Sequence, residues 1–342
     1  MGNVIPGATT ATLAALCALA VGVAIRRGAS CAVAAVNEII DERKCGRLLA
    51  ILTAFMLVPG GLFIAKSLDA LPSLPAGAPV THAAVLGGLL LGLGASVNGA
   101  CAFGTIARIG AGQWSYVATP IGYYAGCHIA ARGLAIAIPF PVHDSPALYA
   151  PASIVVLLGV ISAMLAACAL HSRHAGSTTG MRCANPDDGH RVSWLPRGAT
   201  AAIGITFVLL FVLDSVGTSA DTLADLAQGR PGGATASRGL LFGALIVGAM
   251  SALIKRAMRG EHASGTRVTP SQLVRCLTGG ALMGWASLMI PGGNDALVLL
   301  AMPLLRPYAW VAFAATGFAI GAASLSRRLL CVRRQRKMTE LA

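Results

Sequence analysis

The chain has 342 residues, of which 56% are hydrophobic and 11% are charged. That charged share is about half of what a soluble domain carries, which excludes an ordinary soluble enzyme and makes length useless for counting domains. The formal net charge of +13 would suit a nucleic-acid binder, so the placement of the charges decides its meaning.

Apolar residues come in blocks, several near the roughly 20 that cross a bilayer. They predict an all-α polytopic membrane protein whose surface partner is the lipid bilayer. The first block, Ala8–Ile25, is followed by Arg26 and Arg27 rather than preceded by basic residues, the reverse of a secretory leader, so it is predicted to span. The stretch RRGASCAVAAVNEII then lets Ser30 act as an N-cap with Cys31 in the first turn. Gly46–Ala65 and His82–Val97 follow. At Asn98-Gly99-Ala100 the chain stops, and Cys101 opens a short piece, Ala102–Arg108. Gln113–Ile138 and Ala150–Leu170 complete a first half, residues 1–171. A hydrophilic linker, 172–196, leads into a second half, 197–327, with blocks at Arg197–Val212, Gly239–Ile254, Gln272–Ile290 and Tyr308–Leu325. Inside it Pro291-Gly292-Gly293-Asn294 is a second stop, where Asn294 or Asp295 can cap the short piece Ala296–Leu305. A basic tail, 328–342, ends the chain. With each short piece completing the crossing before it, the count is nine transmembrane crossings.

That threading sorts the charge. Lys66, Arg132, Arg230, Arg238 and Arg306 fall on one side, and every other Lys and Arg of the 26 on the opposite one. The positive-inside rule makes the richer side cytoplasmic, with the N-terminus outside and the C-terminus inside. The basic balance is then a topology signal, and no nucleic-acid partner is expected.

GGLLLGLGASVNGACAFG (Gly87–Gly104) aligns with GGALMGWASLMIPGGNDA (Gly279–Ala296): a glycine pair, a third glycine five residues after the first, then a small-residue break. The first copy starts outside and the second inside, which predicts an inverted repeat of the kind secondary transporters use. Gly46–Ala65 has no evident counterpart in the second half.

A helix that stops inside hydrocarbon leaves backbone groups exposed, tolerated only where the break is buried in protein or lines a polar path. Each break aims a helix N-terminus, with free N–H groups, toward the interior, and such ends favour anions. A neutral thiol there is a weak, polarizable donor that brings no charge to a soft anion. The candidate path residues are therefore Cys31 and Cys101, with Asn98, Gly99, Ala100, Gly292, Gly293, Asn294 and Asp295 at the breaks. Close helix packing explains the small residues equally well. Asp295 is the one acidic residue placed at membrane depth, and it serves either function or capping. Arg108 is expected to reach the cytoplasmic face. Cys17, Cys45, Cys168, Cys276 and Cys331 read as small buried hydrophobes, and nine cysteines with no CxxC give no disulfide framework. No Walker-type loop occurs, and no catalytic residue, metal or cofactor is predicted. A membrane permease for a small anion is the leading function. The alternative is a membrane thiol enzyme that hands sulfur or electrons to a soluble partner, with Cys45 and Cys183 on the cytoplasmic side; the wide cysteine spacing speaks against it.

GGLLLGLGASVNGACAFGTIARIGAG, GGALMGWASLMIPGGNDALVLL and RRGASCAVAAV together resemble the YeeE/YedE family of bacterial inner-membrane sulfur transporters. The resemblance implies thiosulfate uptake through an hourglass whose waist is built from broken helices. It implies that cysteines at the waist pass the ion inward through S–H contacts, with a small TusA-like sulfur carrier as downstream partner. Cys31 and Cys101 match two of those cysteines. The place of the third reads Gly292-Gly293, so two thiols stand where the family has three.

Overall fold

The computed structural model describes residues 8–28, 31–42, 45–68, 79–133, 196–214, 219–229, 235–259, 268–290 and 293–340. Ser30, Gly292, the Ala150–Leu170 block and nearly all of the 172–196 linker lie outside the described residues. Within them regular structure is entirely helical, as long Ala/Leu/Gly/Val runs without backbone partners in lipid require. The helices are α1 (Ala8–Gly28), α2 (Ala32–Asn37), α3 (Gly46–Ser67), α4 (His82–Asn98), α5 (Ala102–Ile109) and α6 (Ala118–Gly133) in the first half. The second half holds α7 (Pro196–Asp214), α8 (Ser219–Ala227), α9 (Thr235–Met258), α10 (Pro270–Met289), α11 (Gly293–Ala296) and α12 (Pro307–Glu340). Among the described residues, four stretches are long and apolar enough to cross a membrane: Thr10–Asp41, His82–Ile109, Ser237–Lys255 and Pro307–Cys331. Shorter apolar helices, Leu57–Ser67 and Gly198–Leu213, accompany them.

The centre is a pair, α4 and α10, that run antiparallel. Gly87 faces Met289 and Ile290, while Gly94 and Asn98 face Gly279. A β-carbon on Gly94 would lie 2.8 Å from the Gly279 carbonyl oxygen, so glycine is what lets the two backbones touch. On one flank α12 runs parallel to α4, where β-carbons on Gly88 and Gly92 would meet the Ala312 and Thr316 oxygens at 2.4 and 2.5 Å. On the other flank α6 runs parallel to α10, where β-carbons on Gly280 and Gly284 would meet the Thr119 and Tyr123 oxygens at 2.3 and 2.0 Å. Outside this core, α1 packs on α7 and α9, and α3 packs on α7. In its most apolar stretch His82–Ile109 has 67% of its residues buried, whereas Ser237–Lys255 has 17%. The first is therefore a core element, and the second lies at the periphery, with Leu240, Val247 and Ile254 exposed.

Four features depart from the sequence expectation. The block from Gln113 begins with a 3-10 turn, Trp114–Val117, before α6 starts. Ala296–Leu305 is no continuous α-helix: the four residues of α11 run into a π turn, Leu297–Ala301, with the Met302 N–H reaching back to Leu297 O at 3.0 Å. Pro303 removes the next N–H that α-helical winding would use, and the chain ends the excursion at Leu305, whose φ is +55°. The residues expected as a basic tail continue α12 as helix to Glu340. Helix α8 was not anticipated, because its apolar positions, Ala220, Leu223, Ala224 and Ala227, form a short amphipathic stripe rather than a block. In addition, Cys331 is disulfide-bonded, which the unspaced cysteine set did not signal.

Candidate functional site

The first break is built by a glycine and an asparagine. Gly99 caps α4 in the left-handed region (φ +80°), where its N–H still reaches Ala95 O at 2.9 Å. Only a residue without a β-carbon takes this turn cheaply. Asn98, 1% exposed, holds the chain on both sides of the turn. Its Nδ2 donates to Ala100 O at 2.8 Å and to Thr105 Oγ1 at 3.0 Å, and its Oδ1 accepts from Thr119 Oγ1 at 2.9 Å. The amide thus ties α4, α5 and α6 together. Two carbonyls at the end of α4 are covered by arginines: Arg275 Nε donates to Val97 O at 3.3 Å, and Arg108 Nη2 to Gly99 O at 3.2 Å. Arg108 also donates to the Tyr116 hydroxyl and lies over its ring, 4.8 Å from the centroid. Its guanidinium folds back, because the carbonyls of a helix C-terminus attract a cation.

Beyond the turn, Cys101 occupies the N-cap position of α5, with extended backbone and no side-chain cap bond. Cys31 holds the same position on α2, again extended and without a cap bond. The sequence reading put Cys31 inside the first turn, so the helix starts one residue later than expected. The two sulfurs meet. Cys31 Sγ lies 3.4 Å from Cys101 Sγ and 3.4 Å from the Cys101 backbone N–H nitrogen, and both residues are buried. Gly104 makes the meeting room, since a β-carbon there would stand 2.7 Å from Cys31 Sγ. Seventy residues of sequence separate the pair, so the objection to a thiol site from wide cysteine spacing does not hold in space.

The same apolar cluster contains a third thiol that sequence reasoning passed over. Cys127 of α6 sits with Cys31, Cys101, Tyr123, Met283 and Ala286. Its Sγ donates to Gly284 O at 3.2 Å and lies 3.5 Å from Ser287 Oγ. A cysteine in mid-helix, remote from any break, gave no signal in the sequence. Ser96, two residues before Asn98, has a buried hydroxyl with no hydrogen-bond partner among the described residues.

At the second break α10 ends at Met289, Ile290 is extended, and Gly293 (φ +61°) opens α11, its N–H bonding Ile290 O at 3.3 Å. Asn294 and Asp295 therefore lie within the first turn of α11 instead of capping it from outside. Asp295 is buried, 3% exposed. Arg306, which the charge sorting puts on the less basic side, is buried as well. Among the described residues no group of three or more His, Cys, Asp or Glu gathers as a metal would need.

Interrupted helices around a buried thiol pair, inside a shell of long apolar helices, define a multi-pass membrane protein of the transporter class. The profile of the sulphur transport family matches residues 27–323. The chain belongs to that family, the YeeE/YedE sulfur transporters. No individual curated protein matches it. At the level of the family the protein is a sulfur transporter rather than an enzyme.

Proposed function

We propose that the protein imports thiosulfate, or a related small sulfur-containing anion, across the bacterial inner membrane. The observation that carries this reading is the contact of Cys31 and Cys101, 3.4 Å apart, at the starts of two interrupted helices. The anion would be met by thiols and backbone N–H groups at the starts of α2 and α5, which bring partial positive charge. The buried Ser96 hydroxyl is a further donor near the first break. Asn98, Gly99 and Ala100 shape the path on one side. Gly292, Gly293, Asn294 and Asp295 shape it on the other, taking the place of a third thiol.

The frame of this reading is an inverted repeat of residues 1–171 and 197–327, nine crossings in all, with the N-terminus outside and the C-terminus cytoplasmic. Paired contacts support it. Gly88 and Gly92 meet Ala312 and Thr316 as Gly280 and Gly284 meet Thr119 and Tyr123, and α3 packs on α7 as α9 packs on α1. In this frame α3 corresponds to α9, so Gly46–Ala65 has its counterpart and Ala150–Leu170 is the unmatched crossing. The 172–196 linker and residues 328–342 then face the cytoplasm, where a TusA-like carrier would take the imported sulfur.

Growth tests the reading. In a host whose only thiosulfate importer is this protein, Cys101→Ala should abolish growth on thiosulfate as sole sulfur source. Unchanged growth, with the variant present in the membrane, would count against a role for the thiol.

A further inference from the structure

The geometry points to the Cys31–Cys101 pair as a redox modification site, where a polythionate closes the path by converting two thiols into one disulfide. This rests on the transport reading for its consequence, though not for its chemistry. The sulfurs are already 3.4 Å apart and both are reduced, so bond formation requires an approach of roughly 1.4 Å to reach disulfide length. They sit on separate elements, the starts of α2 and α5, and the bond would tie those starts together. The nearby Cys127 sulfur is engaged by Gly284 and Ser287 instead.

Tetrathionate supplies the oxidant, because it is two thiosulfates joined through a sulfur–sulfur bond and has the chemistry of the proposed cargo. One cysteine sulfur, losing its proton, attacks a central sulfur of tetrathionate. The central bond breaks, one thiosulfate leaves with the electron pair, and the cysteine carries the other thiosulfate as a mixed disulfide. The second cysteine sulfur, also losing its proton, attacks the first, and the second thiosulfate leaves. Two cysteines are oxidised by two electrons, one tetrathionate is reduced to two thiosulfates, and two protons are released. The resulting disulfide has no S–H to offer an anion, so uptake stops until a reductant restores the thiols.

The test treats the protein in proteoliposomes with tetrathionate, alkylates remaining thiols, and maps Cys31 and Cys101 by peptide mass. The expected result is a Cys31–Cys101 linked peptide and loss of labelled-thiosulfate uptake, with both free thiols and uptake restored after reduction. In Cys31→Ala, Cys101 should instead hold the mixed thiosulfate adduct, which shows that the reagent reaches it. Two alkylatable thiols after treatment, or an adduct that persists on wild-type Cys101 without linking, would overturn the proposal. Undiminished uptake by the linked protein would overturn the closure. A link that forms in a protein with no uptake before treatment would refute the transport reading and leave the pair chemistry standing.

Discussion

Replacing Asn98 with alanine probes the break at its most constrained point. The amide is 1% exposed and makes three contacts, at 2.8 Å to Ala100 O, 3.0 Å to Thr105 Oγ1 and 2.9 Å from Thr119 Oγ1. After Asn98→Ala the two threonine hydroxyls can turn to carbonyls of their own helices, recovering part of what they lose. The Ala100 carbonyl cannot turn. Losing its buried donor costs about 1–3 kcal/mol, and the space left by the side chain adds about 1 kcal/mol, for a total of about 2–4 kcal/mol. Thermal unfolding of the purified protein in detergent, followed by circular dichroism, should show a midpoint several degrees below wild type. Labelled-thiosulfate uptake should fall with it, because Ala100 carries Cys101. Asn98→Asp should be worse: it keeps the acceptor for Thr119 but turns an oxygen toward the Ala100 carbonyl and brings a charge into the membrane. A midpoint within about 1 °C of wild type, with uptake intact, would refute the idea that this side chain holds the break together.

Gly104→Ala drives a β-carbon to 2.7 Å from Cys31 Sγ and should part the two sulfurs, lowering uptake while costing about 1–3 kcal/mol of stability from overpacking. Loss of the Cys31–Cys101 crosslink under oxidation, in protein that still folds, is the check. Gly284→Ala places a β-carbon 2.0 Å from the Tyr123 oxygen and should separate α6 from α10, reducing folded yield in a fluorescence-detected gel-filtration profile. Gly317→Ala, with nothing within 4 Å, should leave the same profile unchanged. Arg108→Gln removes the cation from the Gly99 carbonyl and from the Tyr116 ring, and should lower the unfolding midpoint more than Arg238→Gln, which breaks a partly exposed ion pair at 3.0 Å worth about 0–1 kcal/mol. Equal midpoints for the two variants would show that Arg108 does not support the turn.

Much of this arrangement was legible before any coordinates. The stop at Asn98-Gly99-Ala100 was readable because a polar amide and a glycine interrupt an apolar block, and in lipid such an interruption must be buried or functional. The ends of α1, α3, α4 and α5 lie within a few residues of the blocks read from hydropathy. What sequence hid is what only three dimensions supply. Cys31 and Cys101 are 70 residues apart and share no local pattern, so their contact follows from α1 and α5 packing together. Cys127 carries no periodic signal that distinguishes it from any small core residue. The partners of Arg108, the Gly99 carbonyl and Tyr116, were hidden too, because a lone basic residue after a short apolar piece does not show which helix end it will cover. Helix α8 escaped notice because nine residues with two aspartates do not form an apolar block, although their spacing at positions 220, 223, 224 and 227 was there to be read. The π turn after α11 depends on where Pro303 falls relative to a four-residue helix, which hydropathy does not weigh.

Purified protein in proteoliposomes, given labelled thiosulfate in parallel with sulfate, sulfite and selenium oxyanions, addresses the central claim directly. The thiol pair predicts saturable thiosulfate accumulation by wild type, competition strongest from anions bearing an exposed soft sulfur or selenium, and background levels for Cys101→Ala. Accumulation of sulfate as fast as thiosulfate, or a Cys101→Ala protein that matches wild type, would contradict it.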